Sequence, residues 1–244
     1  MALNRTSIDY IKKVKGVTWN PVTGCTRQCQ WTANNQTVGC FAKSLAEGRL
    51  KTQRAYRYGF TPTFHPERLC EPAHRRKPTL IFVCDMGDLF NPENPRMWVY
   101  SVFDAIKKAP QHTYLFLTKF PQSMQRYHFP ASVRCWAGVS ITKTDQLYSL
   151  PHLRATKKRE GYLHRWISLE PWIDPELSEI DLDRIEFVAA GSLNAHGGRP
   201  VLVQGKKTIL RMYERCKKRR IPYFVKKEVQ GFNIKEVPEV WPRC

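Results

Sequence analysis

The chain has 244 residues, 42% of them hydrophobic, which is enough for one sizeable core. Residues 1–15 lack the apolar segment of a signal peptide, and no stretch reaches the length of a membrane span, so we expect a cytoplasmic protein without a membrane partner. The formal net charge of +19 favours a polyanionic partner, most plausibly nucleic acid, over a basic surface that serves only solubility.

Short apolar segments alternate with helical patterns along the chain, which indicates βα units around a parallel sheet in a single domain, residues 1–244. The predicted strands, in chain order, are Gly16–Asn20, Thr79–Cys84, His112–Thr118, Arg134–Ser140, Arg165–Leu169, Phe187–Gly191 and Pro222–Lys226. The predicted helices between them are Ala42–Tyr56, Pro95–Lys108, Pro121–Tyr127, Thr144–Leu153 and Val203–Arg219. A basic helix and a final strand therefore make up the C-terminal segment 203–229.

Polar residues follow most of these strands directly. They are Asp85, Asp88, Lys119, Ser140, Glu170 and Asn194. The carboxyl ends of parallel strands line the ligand site in α/β folds, so we expect these side chains to share one site. Each of them alone equally suits a loop or a helix N-cap. Their recurrence after successive strands favours the site.

Three cysteines, Cys25, Cys29 and Cys40, lie in one Gly- and Asn-rich loop between the first predicted strand and the first predicted helix. Thiolates this close in sequence are typical ligands of a soft-metal centre. Three ligands leave one coordination position open, as in a catalytic centre. Cys84 and Cys135 fall within predicted strands, where cysteine packs as a small hydrophobe.

Several motifs resemble one known group of enzymes. They are TWNPVTGCTRQC with CFAK, TPTFHPERL, IFVCDMGDLF, FLTKFPQSM, WAGVSI, ISLEP and FVAAGSLNAHGGRP. Together they resemble the radical S-adenosylmethionine superfamily and, within it, the phage Gp37/Gp68-like family of unknown function. The resemblance covers residues 16–229.

This resemblance implies a partial (βα)6 barrel of the TIM type that carries a [4Fe–4S] cluster on Cys25, Cys29 and Cys40. The cluster would reduce S-adenosylmethionine, which is cleaved to methionine and a 5′-deoxyadenosyl radical that abstracts a substrate hydrogen. A reductase, or an electron donor of the flavodoxin or ferredoxin type, would supply the electron. The resemblance identifies neither a catalytic side chain nor a substrate.

The resemblance also implies roles in binding S-adenosylmethionine. Asp85 and Asp88 stand where superfamily members hold the methionine amino group. Ser140 and Glu170 are candidates for the ribose or the methionine carboxylate. Lys119 would meet that carboxylate or a substrate phosphate. Gly191 would allow the backbone to approach the adenine or the sugar.

The cysteine motif departs from the usual C-x3-C-x2-C spacing of this superfamily. Cys25 and Cys29 fit, but ten residues separate Cys29 from Cys40. We interpret this as an insertion of about eight residues with Cys40 retained, because a loop of this length closes at modest entropic cost. A zinc site or the loss of the metal stays open as an alternative. A zinc site would need a fourth ligand, for which His65 and Cys70 are the nearest candidates.

The leading hypothesis is therefore a radical enzyme that modifies or repairs nucleic acid, DNA or RNA. Basic residues alternate with aromatic ones at Arg54–Tyr58 and at Arg126–Phe129, a pattern that suits phosphates and unpaired bases. The basic runs 74–77, 157–159 and 217–220 carry much of the excess charge. Two alternatives remain: a radical enzyme acting on a peptide or small metabolite, and a non-catalytic nucleic-acid-binding protein with a structural metal.

Overall fold

The apolar segments form one central sheet of eight strands in the computed structural model, which describes residues 3–195, 199–226 and 233–242. The strands, labelled in chain order, are β1 Leu3–Arg5, β2 Val17–Trp19, β3 Leu80–Val83, β4 Thr113–Thr118, β5 Arg134–Ser140, β6 His164–Leu169, β7 Phe187–Ala190 and β8 Tyr223–Val225. All seven predicted strands are present, each within two residues of its expected bounds.

The order of the strands across the sheet follows their order along the chain, from β1 to β8. β1 is antiparallel to β2, and every later pair in the sheet is parallel. The strand order does not reverse at any point, whereas a doubly wound sheet reverses its strand order at a switch point. Among the described strands, β1 and β8 are the edges of the sheet, which is not closed by a pairing between them. The fold is therefore mixed α/β with a large, mostly parallel sheet.

Seven α-helices connect the strands. They are α1 Asp9–Lys13, α2 Phe41–Glu47, α3 Glu71–His74, α4 Arg96–Lys107, α5 Pro121–Met124, α6 Ser149–Ala155 and α7 Lys206–Lys218. Short 3-10 turns occupy Arg54–Tyr56, Pro66–Arg68, Thr144–Gln146 and Pro175–Glu179.

All five predicted helices are shorter than expected: the one predicted over Pro121–Tyr127 ends at Met124, the one predicted over Val203–Arg219 begins at Lys206, and two others differ more. The helix predicted over Ala42–Tyr56 ends at Glu47, where Gly48 follows, and only the 3-10 turn Arg54–Tyr56 continues it. The helix predicted over Thr144–Leu153 divides into a 3-10 turn and α6. Pro151 falls in the first turn of α6, where its missing N–H removes no intrahelical hydrogen bond, and this position suits a helix that begins at Ser149.

The two faces of the sheet bury different kinds of residue. One face packs under helices, with Val139, Leu169 and Ala190 in one cluster with residues of α4, α6 and α7. The other face, which we call the inner face, carries a layer of large aromatic side chains. These include Trp136, Trp166, Phe187 and Phe224. Because side chains alternate along a strand, consecutive residues of β5 and β6 divide between the two faces.

The aromatic layer is closed at the amino edge of the sheet. Tyr10 of α1 packs edge-on against Trp166, Phe187 and Phe224, with ring centroids 5.7–5.9 Å apart. Gly138 makes room for Trp166, since a Cβ at this position would lie 2.2 Å from the indole nitrogen. The inner face is thus filled near the amino edge, and its remaining positions face the carboxyl edge.

Four small two-stranded ribbons accompany the central sheet. They pair Val22–Thr23 with Thr63–Phe64, Gln30–Ala33 with Gln36–Gly39, His128–Phe129 with Lys157–Lys158, and Leu193–Asn194 with Pro200–Leu202. Residues 196–198 of the FVAAGSLNAHGGRP motif and residues 227–229 of the predicted C-terminal segment 203–229 lie outside the described residues.

Candidate functional site

Four of the residues predicted from the sequence continue the inner face at the carboxyl edge. Lys119 follows Leu115 and Leu117 at strand spacing, and Ser140 follows Trp136 and Gly138. Glu170 and Gly191 stand two residues beyond Ser168 and Ala189 on the adjacent strands. The strand period of two therefore places all four in one layer, which we call the polar layer.

Hydrogen bonds and an ion pair connect this polar layer from strand to strand. Lys119 Nζ donates to Ser140 Oγ over 2.8 Å, and Ser140 Oγ donates to the Glu170 backbone oxygen over 3.4 Å. Glu170 Oε2 lies 2.8 Å from Lys226 Nζ. The ends of β4, β5, β6 and β8 are thereby linked. Sequence reasoning missed Lys226, which was predicted as the last residue of the final strand but stands directly after it, as Lys119 stands after β4.

Gly191 lies tightly against this ion pair. A Cβ at position 191 would be 3.1 Å from Lys226 Cδ and 3.3 Å from Glu170 Cγ. Its N–H donates to Leu169 O, and its carbonyl accepts from Trp172 N, so the backbone itself is held by the neighbouring strand. A glycine here leaves the space above Glu170 and Lys226 open.

Asp85 lies at the same edge, beside the end of β2. Asn20 Nδ2 donates to Asp85 Oδ1 over 2.6 Å, and Asn20 Oδ1 accepts from Met86 N over 3.0 Å. Burial raises the pKa of Asp85, while hydrogen bonds from Asn20 and Thr18 act in the opposite direction. Asn20, another residue that sequence reasoning missed, thus fixes the loop that carries Asp85.

Asp88 has a different environment from the other predicted residues. Its carboxylate accepts from Thr118 Oγ1 at 2.7 and 2.9 Å, from Lys119 N at 3.0 Å and from Phe90 N at 3.1 Å. Burial raises its pKa, and these hydrogen bonds oppose that shift. The structure therefore gives Asp88 a role in joining the loop after β3 to the end of β4. A contact with S-adenosylmethionine stays a prediction.

Several buried polar atoms near the polar layer lack a protein partner within the described residues. They are Ser168 Oγ, Glu170 Oε1 and Asn194 Oδ1. Buried polar groups are normally hydrogen-bonded, so unsatisfied ones beside the polar layer indicate a place for a polar ligand. These three atoms belong to β6, to the residue after β6 and to the ribbon that follows β7, which keeps Asn194 among the candidate residues.

The insertion between Cys29 and Cys40 folds into a β-hairpin. Gln30–Ala33 pairs with Gln36–Gly39 in antiparallel register, and Asn34 and Asn35 form its turn with φ of 49° and 58°. Such left-handed pairs are typical of the tight turns of hairpins. The register pairs Gln30 with Gly39, so Cys29 and Cys40 stand side by side at the open end of the hairpin. The hairpin formed by the insertion therefore brings Cys40 next to Cys29.

The third thiol of the loop, that of Cys25, is held beside this pair. Cys25 N donates to Phe60 O over 3.1 Å, and the Cys25 and Cys40 side chains pack on one cluster with Tyr56 and Met86. Burial raises the pKa of Cys25 to about 12, and the negative charges of Asp88, Cys29 and Cys40 act in the same direction. Burial also raises the pKa of Cys29, an effect that Lys119 opposes. The three thiols therefore share one electrostatic environment.

This donor set fits an iron–sulfur cluster better than a single metal ion. Within the described residues, no three His, Cys, Asp or Glu side chains are arranged around one metal-ion position. In a cluster each thiolate binds its own iron, so the sulfurs need not converge on one point. The candidates for a fourth zinc ligand are engaged elsewhere: His65 Nε2 lies 2.9 Å from Thr23 Oγ1, and Cys70 Sγ contacts Glu67 O.

The hairpin also extends over the polar layer. Trp31 Nε1 donates to Thr142 Oγ1 over 3.1 Å, and Lys119 Nζ lies 5.9 Å from the centre of a Trp31 ring. At the turn, Asn34 Nδ2 donates to Val201 O over 2.6 Å. Val38 packs with Val201 in a small apolar cluster. The insertion therefore connects the loop after β2 with the ribbon that follows β7.

Comparisons with known proteins give one family and two similar structures. A family model described as "Protein of unknown function (DUF5131)" matches residues 5–237. No curated protein matches the sequence. A solved structure of spore photoproduct lyase complexed with dinucleoside spore photoproduct is similar, with 11% identity and a TM-score of 0.48 over 88% of this chain. A mutant of that lyase with bound AdoMet and dinucleoside spore photoproduct gives 11% identity over 88% of this chain and a TM-score of 0.47. The chain spans 64% of the length of each of these two structures.

A membrane-spanning segment was sought in the helices of the described residues, and none of them is long and apolar enough to be one.

Proposed function

The chain belongs to the DUF5131 family, whose description assigns no activity, and we propose that this member is a radical S-adenosylmethionine enzyme that modifies or repairs nucleic acid. One observation carries the proposal. The hairpin register brings Cys29 and Cys40 side by side, near Cys25, at the edge of the sheet where the polar layer lies. The unreversed strand order of the parallel sheet supports the finer proposal of a partial barrel of the radical enzyme type.

In this proposal Cys25, Cys29 and Cys40 hold a [4Fe–4S] cluster with one open iron. A bound cluster supplies the electron that cleaves S-adenosylmethionine to methionine and a 5′-deoxyadenosyl radical. The protein's own contribution is binding, orientation and the exclusion of water. The three cysteines are half-buried, whereas Ser140 and Asp88 beside them are buried, so the protein shields this site from water in part.

The polar layer is proposed to bind S-adenosylmethionine. Its amino, carboxylate and ribose hydroxyl groups need both acceptors and donors. Glu170 Oε1, Asp85 and Ser140 Oγ offer acceptors, whereas Lys119 Nζ offers donors besides the one that Ser140 accepts. Gly191 leaves the neighbouring space free of a side chain. Asn194 Oδ1, which lacks a protein partner within the described residues, would be satisfied by the same ligand.

Nucleic acid is proposed as the substrate because of the charge. A net charge of +19 on 244 residues favours a polyanion over a neutral metabolite or a typical peptide. The electron would come from a reductase or from a partner of the flavodoxin or ferredoxin type. A radical enzyme with a peptide or metabolite substrate would have the same site, whereas a non-catalytic nucleic-acid-binding protein would lack its chemistry.

The test is an anaerobic reconstitution of the full chain with iron and sulfide. We expect about four irons per chain, and an EPR signal of the reduced protein that changes when S-adenosylmethionine is added. Reductive cleavage of S-adenosylmethionine to 5′-deoxyadenosine should follow. Zinc, or no metal at all, in protein purified without oxygen would overturn the proposal and would leave a binding protein as the better description.

A further inference from the structure

The basic residues of this protein divide between two ends of the sheet. The three basic runs noted in the sequence, 74–77, 157–159 and 217–220, all stand shortly before a strand: β3, β6 and β8, respectively. Since these strands are parallel, all three runs lie toward the amino edge. The cysteine loop and the polar layer lie at the opposite edge. The runs that account for much of the charge are therefore remote from the candidate site.

A second basic group lies on the cysteine side. The segment 41–58, which begins directly after Cys40, contains five Lys or Arg residues and one acidic residue, Glu47. Glu47 lies 4.0 Å from Lys43. The other four basic residues, Arg49, Lys51, Arg54 and Arg57, are exposed and form no ion pair within the described part of the chain. Their charges are available to a partner.

Two large aromatic side chains are exposed among these charges. Phe41 is 70% exposed and Tyr58 is 59% exposed, although both residues belong to types that are usually at least half-buried. The Arg57 guanidinium lies 4.6 Å from the centre of the Tyr58 ring. Exposed aromatic rings together with unpaired cations are the combination on which unpaired bases stack while their phosphates are neutralised.

This segment is fixed to the cysteine loop and does not project from it. Its buried residues Ala46 and Tyr56, together with Phe60 just beyond it, pack in one cluster with Cys25 and Cys40. Phe60 O accepts from Cys25 N, and Ala55 O accepts from Thr23 Oγ1. Phe41 is the residue next to Cys40. The exposed aromatic and basic side chains are thus carried on the same small core as the thiols.

We propose that Phe41, Arg49, Lys51, Arg54, Arg57 and Tyr58, here called the aromatic–basic surface, bind a single-stranded or locally unpaired nucleic acid and present it to the site. This inference rests on the proposed function for its substrate, but it is specific about where the substrate binds. Unpaired bases stack on Tyr58 and Phe41, and phosphates contact the four unpaired cations. The basic runs at the amino edge do not take part.

The experiment measures binding of fluorescent 12-nucleotide single strands, as DNA and as RNA of the same sequence, by anisotropy at several salt concentrations. Arg54→Gln with Arg57→Gln removes two charges from the aromatic–basic surface. Arg76→Gln with Lys77→Gln removes two exposed charges from the amino edge as the matched control. We expect the first pair to lower the salt slope by about 1.4, that is about 0.7 for each lost contact, and the control to leave it unchanged.

The aromatic contribution has its own variants. Tyr58→Ala should weaken binding about tenfold without changing the salt slope, and Tyr58→Phe should bind as the wild type does, because the ring face is what stacks. Binding of either oligonucleotide with these effects supports the inference. Equal losses from the two charge pairs, an unchanged affinity for Tyr58→Ala, or no binding at low salt would overturn it.

Iron content and S-adenosylmethionine cleavage without nucleic acid are measured on the same variants. A normal cluster with impaired oligonucleotide binding assigns the loss to the aromatic–basic surface. If the protein cannot bind a cluster but still binds oligonucleotides through the aromatic–basic surface, the proposed function is overturned and the inference about this surface stands. The two proposals therefore fail in different measurements.

Discussion

The two edges of the parallel sheet differ in which residues lie inside. At the amino edge, Tyr10, Trp166 and Phe187 pack together on the inner face, and the basic runs around this edge are mostly exposed. At the carboxyl edge an ion pair, Glu170 with Lys226, lies on the inner face, while the aromatic–basic surface with Phe41 and Tyr58 is exposed.

This difference follows from what each edge is built to do. An aromatic layer that includes Tyr10, Trp166 and Phe187 closes the amino end of the core by packing. Moving Glu170 and Lys226 out of water costs free energy that their pairing repays only in part, which favours a binding role over a stabilising role for this pair. Net charge alone does not distinguish the two edges.

The largest effect should come from the cysteine loop. Cys25→Ala removes one thiolate of the proposed cluster, and we expect reconstituted iron to fall to background with loss of all S-adenosylmethionine cleavage. Cys70→Ala is the control, because Cys70 is exposed and contacts only Glu67 O. A full iron complement in Cys25→Ala would refute the assignment of this ligand.

Asp88 tests whether a carboxylate of the carboxyl edge serves stability. Asp88→Ala leaves the Thr118 hydroxyl and the N–H groups of Phe90 and Lys119 without their acceptor, and we expect a loss of about 2–3 kcal/mol in the free energy of unfolding. Urea denaturation of the apoprotein measures this loss. Asp181→Ala, which removes an exposed pair with Arg154, should cost about 1 kcal/mol or less. Similar losses in both variants would contradict the structural role of Asp88.

Glu170 tests the polar layer as a binding site. Glu170→Gln removes the charge that faces Lys226, and we expect the Kd for S-adenosylmethionine to rise about tenfold, as for one lost charge-assisted hydrogen bond. Glu186→Gln is the matched control at the amino edge, where Glu186 lies 2.7 Å from His164. Anaerobic equilibrium dialysis gives both constants. An unchanged Kd in Glu170→Gln would remove Glu170 from the site.

The hairpin should give the smallest effect. Deletion of Trp31–Val38 leaves Gln30 and Gly39 between the two cysteines and restores the C-x3-C-x2-C spacing, so we expect normal iron content. Because Trp31 no longer covers Lys119, cleavage of S-adenosylmethionine in the absence of nucleic acid should rise by a few-fold.

The control for the deletion keeps the length of the hairpin. Thr32→Ala with Thr37→Ala changes only an exposed pair of hydroxyls, 2.9 Å apart, and should behave as the wild type. Loss of iron in the deletion variant but not in this control would show that the hairpin is required for ligation and does not merely cover the site.

Much of the fold was predictable because its signals are local. Apolar segments such as Thr79–Cys84 and Arg134–Ser140 became β3 and β5 almost residue for residue. The strand period also placed Lys119, Ser140 and Glu170 correctly at one edge. Lys226 and Asn20 were missed, although each stands directly after a strand, because nothing in the sequence alone shows that Glu170 or Asp85 is the partner.

The position of Asp88 was not predictable for a physical reason. Along a strand, the alternation of the backbone determines which face of the sheet each side chain is on. This alternation ends at Cys84, whose φ is +59°, so it does not predict the face of residues 85–88. Only the tertiary contact with Thr118 shows where the Asp88 carboxylate lies. The same limit applies to the hairpin: Asn34 and Asn35 suggest a turn, but the coverage of Lys119 by Trp31 depends on residues far apart in sequence.

The strands, the order of the βα units, the cysteine motif and the excess of positive charge could therefore be identified from the chain alone, because each depends on neighbouring residues or on composition. The tertiary structure decided which charges surround the site, which carboxylate is structural and how Cys40 returns to Cys29 across ten residues. These features depend on strand register and packing between distant segments, and no local pattern contains that information.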